Sequence, residues 1–128
     1  MSDFNSEKNA FVWMDIPVVD LDRARRFYKG VMGIDSHAEK YNDFSFAVLE
    51  HHDGNGGCLI PGDASKITDT GPLVYLNTNG RIRDAVAQTK ALGGRVLQDV
   101  HSIGPHGCRA IILDSEGNRF ALHSNTDA

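Results

Sequence analysis

Two ionisable side chains stand in strand-patterned runs at opposite ends of the chain: Asp15 in WMDIPV and His123 in RFALHS. Residues two apart on a strand share a face. Asp15 therefore goes with Trp13, His123 with Ala121, and Tyr75 and Asn77 with Leu73. If these faces line one cavity, an acid and an imidazole are at hand as base and acid, or as two ligands of an ion. The plainer alternatives stay open, with Asp15 bonded to backbone near a sheet edge and His123 at an exposed strand end. Trp13, the only tryptophan, and Phe46 could stack on a flat ligand or simply fill a core.

Other chemistry-bearing residues carry less. His106 lies in GPHG, a Gly-flanked loop placed to cover a cavity and touch what it holds. His51 and His52 share a turn in which their side chains diverge, a poor basis for ligation. Cys58 and Cys108 form no CxxC pair and read as half-buried thiols in strands, with a single disulfide still open. Gly54, Gly56 and Gly57 are no phosphate loop, because no helix opening on Lys-Ser or Lys-Thr follows. Arg23, Arg25 and Arg26 read as a solvated helix face.

The elements that must position these residues occur twice. Trp13 to Ile34 reads strand, helix, Gly, and so does Leu73 to Gly94. Phe46 to Ile60 and Ala110 to Ser124 each read apolar run, Gly-Asn turn, apolar run. Such a repeat dictates architecture, since two copies of one βαβββ unit can bury their faces on each other. The first helix starts at a capping Asp20, shows Leu21, Ala24, Phe27, Tyr28 and Val31 on one face, and stops at Gly33. A strand is expected from Tyr41 to Glu50, and a short one from Cys58 to Ile60. The second copy is expected to hold a strand over Leu73 to Asn77 and a helix with Ile82, Ala85, Val86, Thr89 and Leu92 inward. Its closing strands follow at Arg95 to Val100, Cys108 to Leu113 and Arg119 to His123.

The expected organisation is a loose polar tail over 1–9 and one domain over 10–126. The first module spans about 10–61, a linker 62–71 and the second module about 72–126. A length of 128 residues suffices for a real core. A net charge of −4 speaks against nucleic acid as partner. There is no run long enough to span a bilayer and no signal-peptide layout, so the expectation is no membrane partner and a cytoplasmic protein.

The runs IPVVDLDRARRFYKGVMGI and ILDSEGNRFALHS, with the second helix between them, resemble the vicinal-oxygen-chelate superfamily, which includes glyoxalase I, bleomycin-resistance proteins, fosfomycin-resistance enzymes and extradiol dioxygenases. The resemblance implies an α+β fold of two βαβββ modules, whose curved mixed sheets form a cup for a small molecule. It also implies a homodimer. Metal-dependent members place one ligand on the first strand and one on the last strand of each module. Those positions here hold Trp13, Cys58, Leu73 and Ala121, so the usual metal centre is expected to be missing and no cofactor is expected. The alternative is a divalent ion such as Zn, Ni, Mn or Fe at a non-standard site of Asp15 and His123.

Three functions follow from the resemblance. The first is a binding protein of the bleomycin-resistance type, holding an aromatic or cationic compound among Trp13, Phe46, Cys58, Tyr75, Asn77 and His106, with Asp15 supplying charge. The second is a lyase or isomerase of the glyoxalase class, with Asp15 and His123 as catalytic groups. The third is a dimerising domain without ligand.

Overall fold

The computed structural model describes residues 9–128. The expected tail falls almost wholly on 1–8, outside the described residues. Eight strands and two helices follow in order: β1 Trp13–Val18, α1 Leu21–Met32, β2 Ser36–Tyr41, β3 Phe44–Leu49, β4 Gly56–Pro61, β5 Tyr75–Asn77, α2 Ile82–Ala91, β6 Arg95–Ser102, β7 Cys108–Leu113 and β8 Arg119–Ser124. They build two four-stranded sheets of identical order, β1-β4-β3-β2 and β5-β8-β7-β6. In each sheet the first and last strands of the module run parallel and the remaining pairs are antiparallel. This is the α+β arrangement of two βαβββ modules that the internal repeat predicts.

One strand escapes the sequence reading. The run expected over Tyr41 to Glu50 is β3, and a further strand, β2, precedes it and joins it through a turn at Asn42 with φ 56°. β2 reads SHAEKY, and five of its six residues are exposed. An edge strand with neither face in the core carries no apolar alternation, so periodicity cannot find it. The strand expected at Leu73 also shortens to Tyr75–Asn77.

Helix α1 forms for the reasons its residues state. Asp20 accepts from the Arg23 backbone N–H at 3.0 Å, and Gly33 closes the helix in the left-handed region. Its inward stripe is Ala24, Phe27, Tyr28 and Val31, all fully buried. The helices pack on each other. Gly30 permits the approach, since a Cβ there would overlap the Leu92 side chain. Arg81, at the start of α2, donates to the Gly30 and Val31 carbonyls at the end of α1. The inner faces of both sheets (Ile16, Val18, Ala47 and Leu59; Ala110, Ile112, Phe120 and Leu122) join both helices in one cluster. The sheets therefore stand back to back across a shared helical layer. The odd-numbered residues of β1 and β8, with the core on their other side, face outward.

The β7–β8 turn locks the modules together. Glu116 accepts from the Val19 and Asp20 N–H groups at 2.9 Å each and takes the Arg23 guanidinium at 2.7 and 2.9 Å. Arg25 reaches the Ser36 hydroxyl and carbonyl. Two of the three arginines read as a solvated face are thus anchors. The partner of Arg23 lies far along the chain, which no local pattern announces. Asn118 donates to Pro17 O at 2.8 Å, and Asn55 of the equivalent turn donates to Phe11 O.

Burial alone would raise the Glu116 carboxyl, but Arg23, the Asp20 N–H, the Ser115 hydroxyl and the Val19 N–H together hold it at about 2, against an ordinary 4.5. A folded-state value below the unfolded one stabilises above the unfolded value and loses that contribution as pH falls. Between pH 4.5 and 2 the protein should lose stability, and Glu116→Gln should flatten that part of the profile. Urea midpoints across this range check it.

Candidate functional site

The outer face of the first sheet brings together Asp15, Trp13, Cys58 and Phe46. Parallel pairing of β1 with β4 sets Asp15, not Trp13, opposite Cys58, and the Cys58 thiol donates to Asp15 Oδ1 at 3.2 Å. Burial pushes this thiol up to about 11, opposed by Trp13 and reinforced by Asp15. It is therefore a hydrogen-bond donor at neutral pH and a poor nucleophile. Both cysteines are free. Trp13 meets the His51 ring edge-on at 5.6 Å, and Phe46 stacks with Phe44 at 5.9 Å. Asp15 is exposed on β1, an edge strand.

The outer face of the second sheet gathers one side chain from each strand: Tyr75 on β5, His123 on β8, Arg109 on β7 and His101 on β6, with Tyr75 one pair along from the row of the other three. Arg109 pairs in register with both His123 and His101. Its Nε donates to His101 Nε2 at 3.1 Å and its Nη1 to the Tyr75 hydroxyl at 2.6 Å. His101 Nδ1 lies 2.9 Å from Asp99 O. A carbonyl only accepts, so the proton sits on Nδ1 and Nε2 is left free to accept from Arg109. His123 Nε2 donates to His106 O at 2.7 Å, which leaves its Nδ1 as the basic nitrogen. The Tyr75 and His123 rings lie 6.1 Å apart.

Several sequence-derived candidates thus sit together, in altered roles. Tyr75 and His123 are neighbours. His106 contributes its main-chain carbonyl, while its ring is exposed. Asn77 lies opposite His123, with its side-chain oxygen turned back to the Asn79 N–H at 3.0 Å. Ala121, opposite Tyr75, is fully buried. Arg109 and His101 were missed. CRAIIL reads simply as a strand, and the signal available was alternation, which puts Arg109 on the outward face with Ile111. Asp15 and His123 stand on different sheets, and the hydrogen bonds each makes stay within its own module.

Among the described residues no group of three or more His, Cys, Asp or Glu side chains gathers to hold a metal ion. No helix is long and apolar enough to cross a membrane.

The sequence model of the Glyoxalase/Bleomycin resistance protein/Dioxygenase superfamily matches residues 10–122. A "Glyoxylase-like domain-containing protein" of Didymella fabae is 27% identical over 114 residues, covering 85% of this chain and 88% of that one. The fosfomycin resistance protein FosX from Listeria monocytogenes superposes with a TM-score of 0.68 at 15% identity, over 91% of this chain and 93% of that one. A glyoxalase I mutant from Zea mays gives a TM-score of 0.69 at 22% identity, over 88% of this chain and 45% of that one. At such identities the solved structures share the fold.

Proposed function

We propose, for a chain that belongs to the Glyoxalase/Bleomycin resistance protein/Dioxygenase superfamily, that it binds a small organic molecule in a cup closed by a second copy of itself. The observation that carries this reading is the back-to-back arrangement of the sheets. Both outer faces bear aromatic and polar side chains, and neither can close on the other within one chain. Tyr41 is 73% exposed, Tyr75 45% and Phe44 44%, an unusual display for large rings on a small domain. The outer face of module one on one copy would meet module two of its partner, as in a symmetric dimer. That pairing is also the route by which Asp15 of one copy would come to face His123 of the other.

The cup is proposed to work without a resident metal ion. Trp13, Leu73 and Ala121 offer no ligating atom at the positions where metal-dependent relatives carry theirs, and the Cys58 thiol is protonated and committed to Asp15. Such a donor set does not fit the usual centre.

A second reading, a lyase or isomerase, is favoured by one feature. His123 is locked through Nε2, so Nδ1 is oriented as a base, the arrangement expected of an imidazole that moves a proton.

The test combines sedimentation equilibrium with the fluorescence of Trp13, titrated with small aromatic compounds. A dimer whose tryptophan emission responds to added compound is expected, and Phe44→Glu should yield monomers that no longer respond. A monomeric wild type with unresponsive fluorescence would overturn the reading. Elemental analysis after incubation with Zn²⁺, Ni²⁺, Mn²⁺ or Fe²⁺ should return clearly substoichiometric metal. A tightly held stoichiometric ion would overturn the metal-free part alone.

A further inference from the structure

We infer that the outer face of the second sheet is a carboxylate-binding site centred on Arg109, so that the molecule held in the cup is an organic acid. The inference rests on the small-molecule reading above and names the chemistry of its ligand.

Arg109 is a half-buried guanidinium with two neutral partners. Among the described residues no carboxylate lies in ion-pair range of it. Arg25 also rests on neutral groups, the Ser36 hydroxyl and carbonyl, while three other arginines meet carboxylates. Arg23 is paired with Glu116, Arg81 with Asp84 and Arg83 with Asp127. The outer face of the second sheet is different. Arg95 and Arg119 stand on either side of Leu113 on the same face as Arg109; among the described residues neither forms an ion pair, and Arg119 donates to Gly71 O at 2.7 Å. Three guanidinium groups with no ion-pair partner among the described residues thus share one face of a chain whose net charge is −4.

The geometry selects a carboxylate. A guanidinium has five N–H donors. One on Nε and one on Nη1 are taken, which leaves the second Nη1 hydrogen and both on Nη2. The Nη1/Nη2 edge is the fork that meets the two oxygens of a carboxylate side by side. The two existing bonds hold the plane of that fork against rotation. The Tyr75 hydroxyl accepts from Nη1, so its own hydrogen is available as a further donor to the same group. Beside the fork, the partly buried Ile111 offers an apolar surface for the body of an acid. Asp15, which suggested a cationic ligand from sequence alone, already accepts the Cys58 thiol, and it lies on the other sheet.

Benzoate and benzamide differ in charge at nearly constant shape, so the pair separates the carboxylate inference from the cup reading. Binding to the intact protein is followed by Trp13 fluorescence and by the side-chain Nε–H resonance of Arg109. Benzoate should bind at least about tenfold more tightly than benzamide, and Arg109→Gln should bring the two within about twofold. Arg109→Lys keeps the charge and loses the fork, so it should retain part of the preference. Should Arg109→Gln lower the urea midpoint, Tyr75→Phe gives the same test with the guanidinium in place, and several-fold weaker benzoate with unchanged benzamide is expected. Equal binding of both probes, indifferent to Arg109, would overturn the inference and leave the cup reading intact. Silence of both signals with both probes would overturn the two together.

Discussion

Asp114→Ala is expected to cost about 3–5 kcal/mol of stability, the largest loss available from a single polar side chain here. Asp114 is 2% exposed. Its Oδ1 accepts the N–H groups of Glu116, Gly117 and Asn118 at 2.9 Å each, and its Oδ2 accepts the Tyr28 hydroxyl at 2.6 Å and Asn118 Nδ2 at 3.0 Å. The substitution strips the β7–β8 turn of its organising acceptor and leaves the wholly buried Tyr28 hydroxyl without a partner. Burial and the neighbouring Asp114 push the Tyr28 phenol well above its usual value, so it remains a donor throughout the accessible pH range. Tyr28→Phe alone removes one donor and should cost about 1–2 kcal/mol. Because the two groups touch, the double variant should lose less than the sum. Urea unfolding with an unchanged slope measures all three. A loss below about 1 kcal/mol for Asp114→Ala would mean that the turn is held by packing instead.

Gly107→Ala should lower stability by about 3 kcal/mol and also disturb His123. Gly107 has φ 98° and ψ −137°, a region that side chains avoid, and an added Cβ would stand inside contact of Ser124 O. The turn over Gly104–His106 presents His106 O to His123 Nε2, and the Ile103 N–H closes it on Gly107 O at 2.9 Å. Shifting that turn frees the imidazole. Nitrogen chemical shifts of His123 should then move from a single tautomer with the proton on Nε2 toward an exchanging mixture. Gly62→Ala, with open space and no positive φ, is the control and should change stability by less than about 0.5 kcal/mol. A Gly107→Ala protein with the original His123 tautomer would show that the ring is held by other contacts.

These two positions differ in how far the sequence announced them. Asp114 lies in the Asp-x-x-Gly-Asn turn of ILDSEGNRFALHS, legible in the sequence because a turn needs local hydrogen-bonding residues at set offsets. The partners Tyr28 and Pro17 are far along the chain, and only the fold brings them in. His123 was legible as an outward-facing imidazole from alternation alone. The carbonyl that selects its tautomer was not, since a main-chain oxygen has no residue identity to read.

The sequence by itself determined the repeat of the module, without its edge strand β2, the inward stripe of each helix, the Asp20 and Gly33 helix ends and the alternation that puts Asp15 with Trp13 and His123 with Ala121. All of these follow from periods of two and 3.6 residues and from local capping, which are properties of short segments. Tertiary structure alone decided that the sheets stand back to back. That choice rests on long-range contacts: Glu116 on the α1 start, Arg81 on the α1 end, and Tyr28 between Asp114 and Phe120. It separates Asp15 from His123 within one chain, and it gathers Tyr75, His123, Arg109 and His101 from four strands that neighbour one another only in the folded sheet.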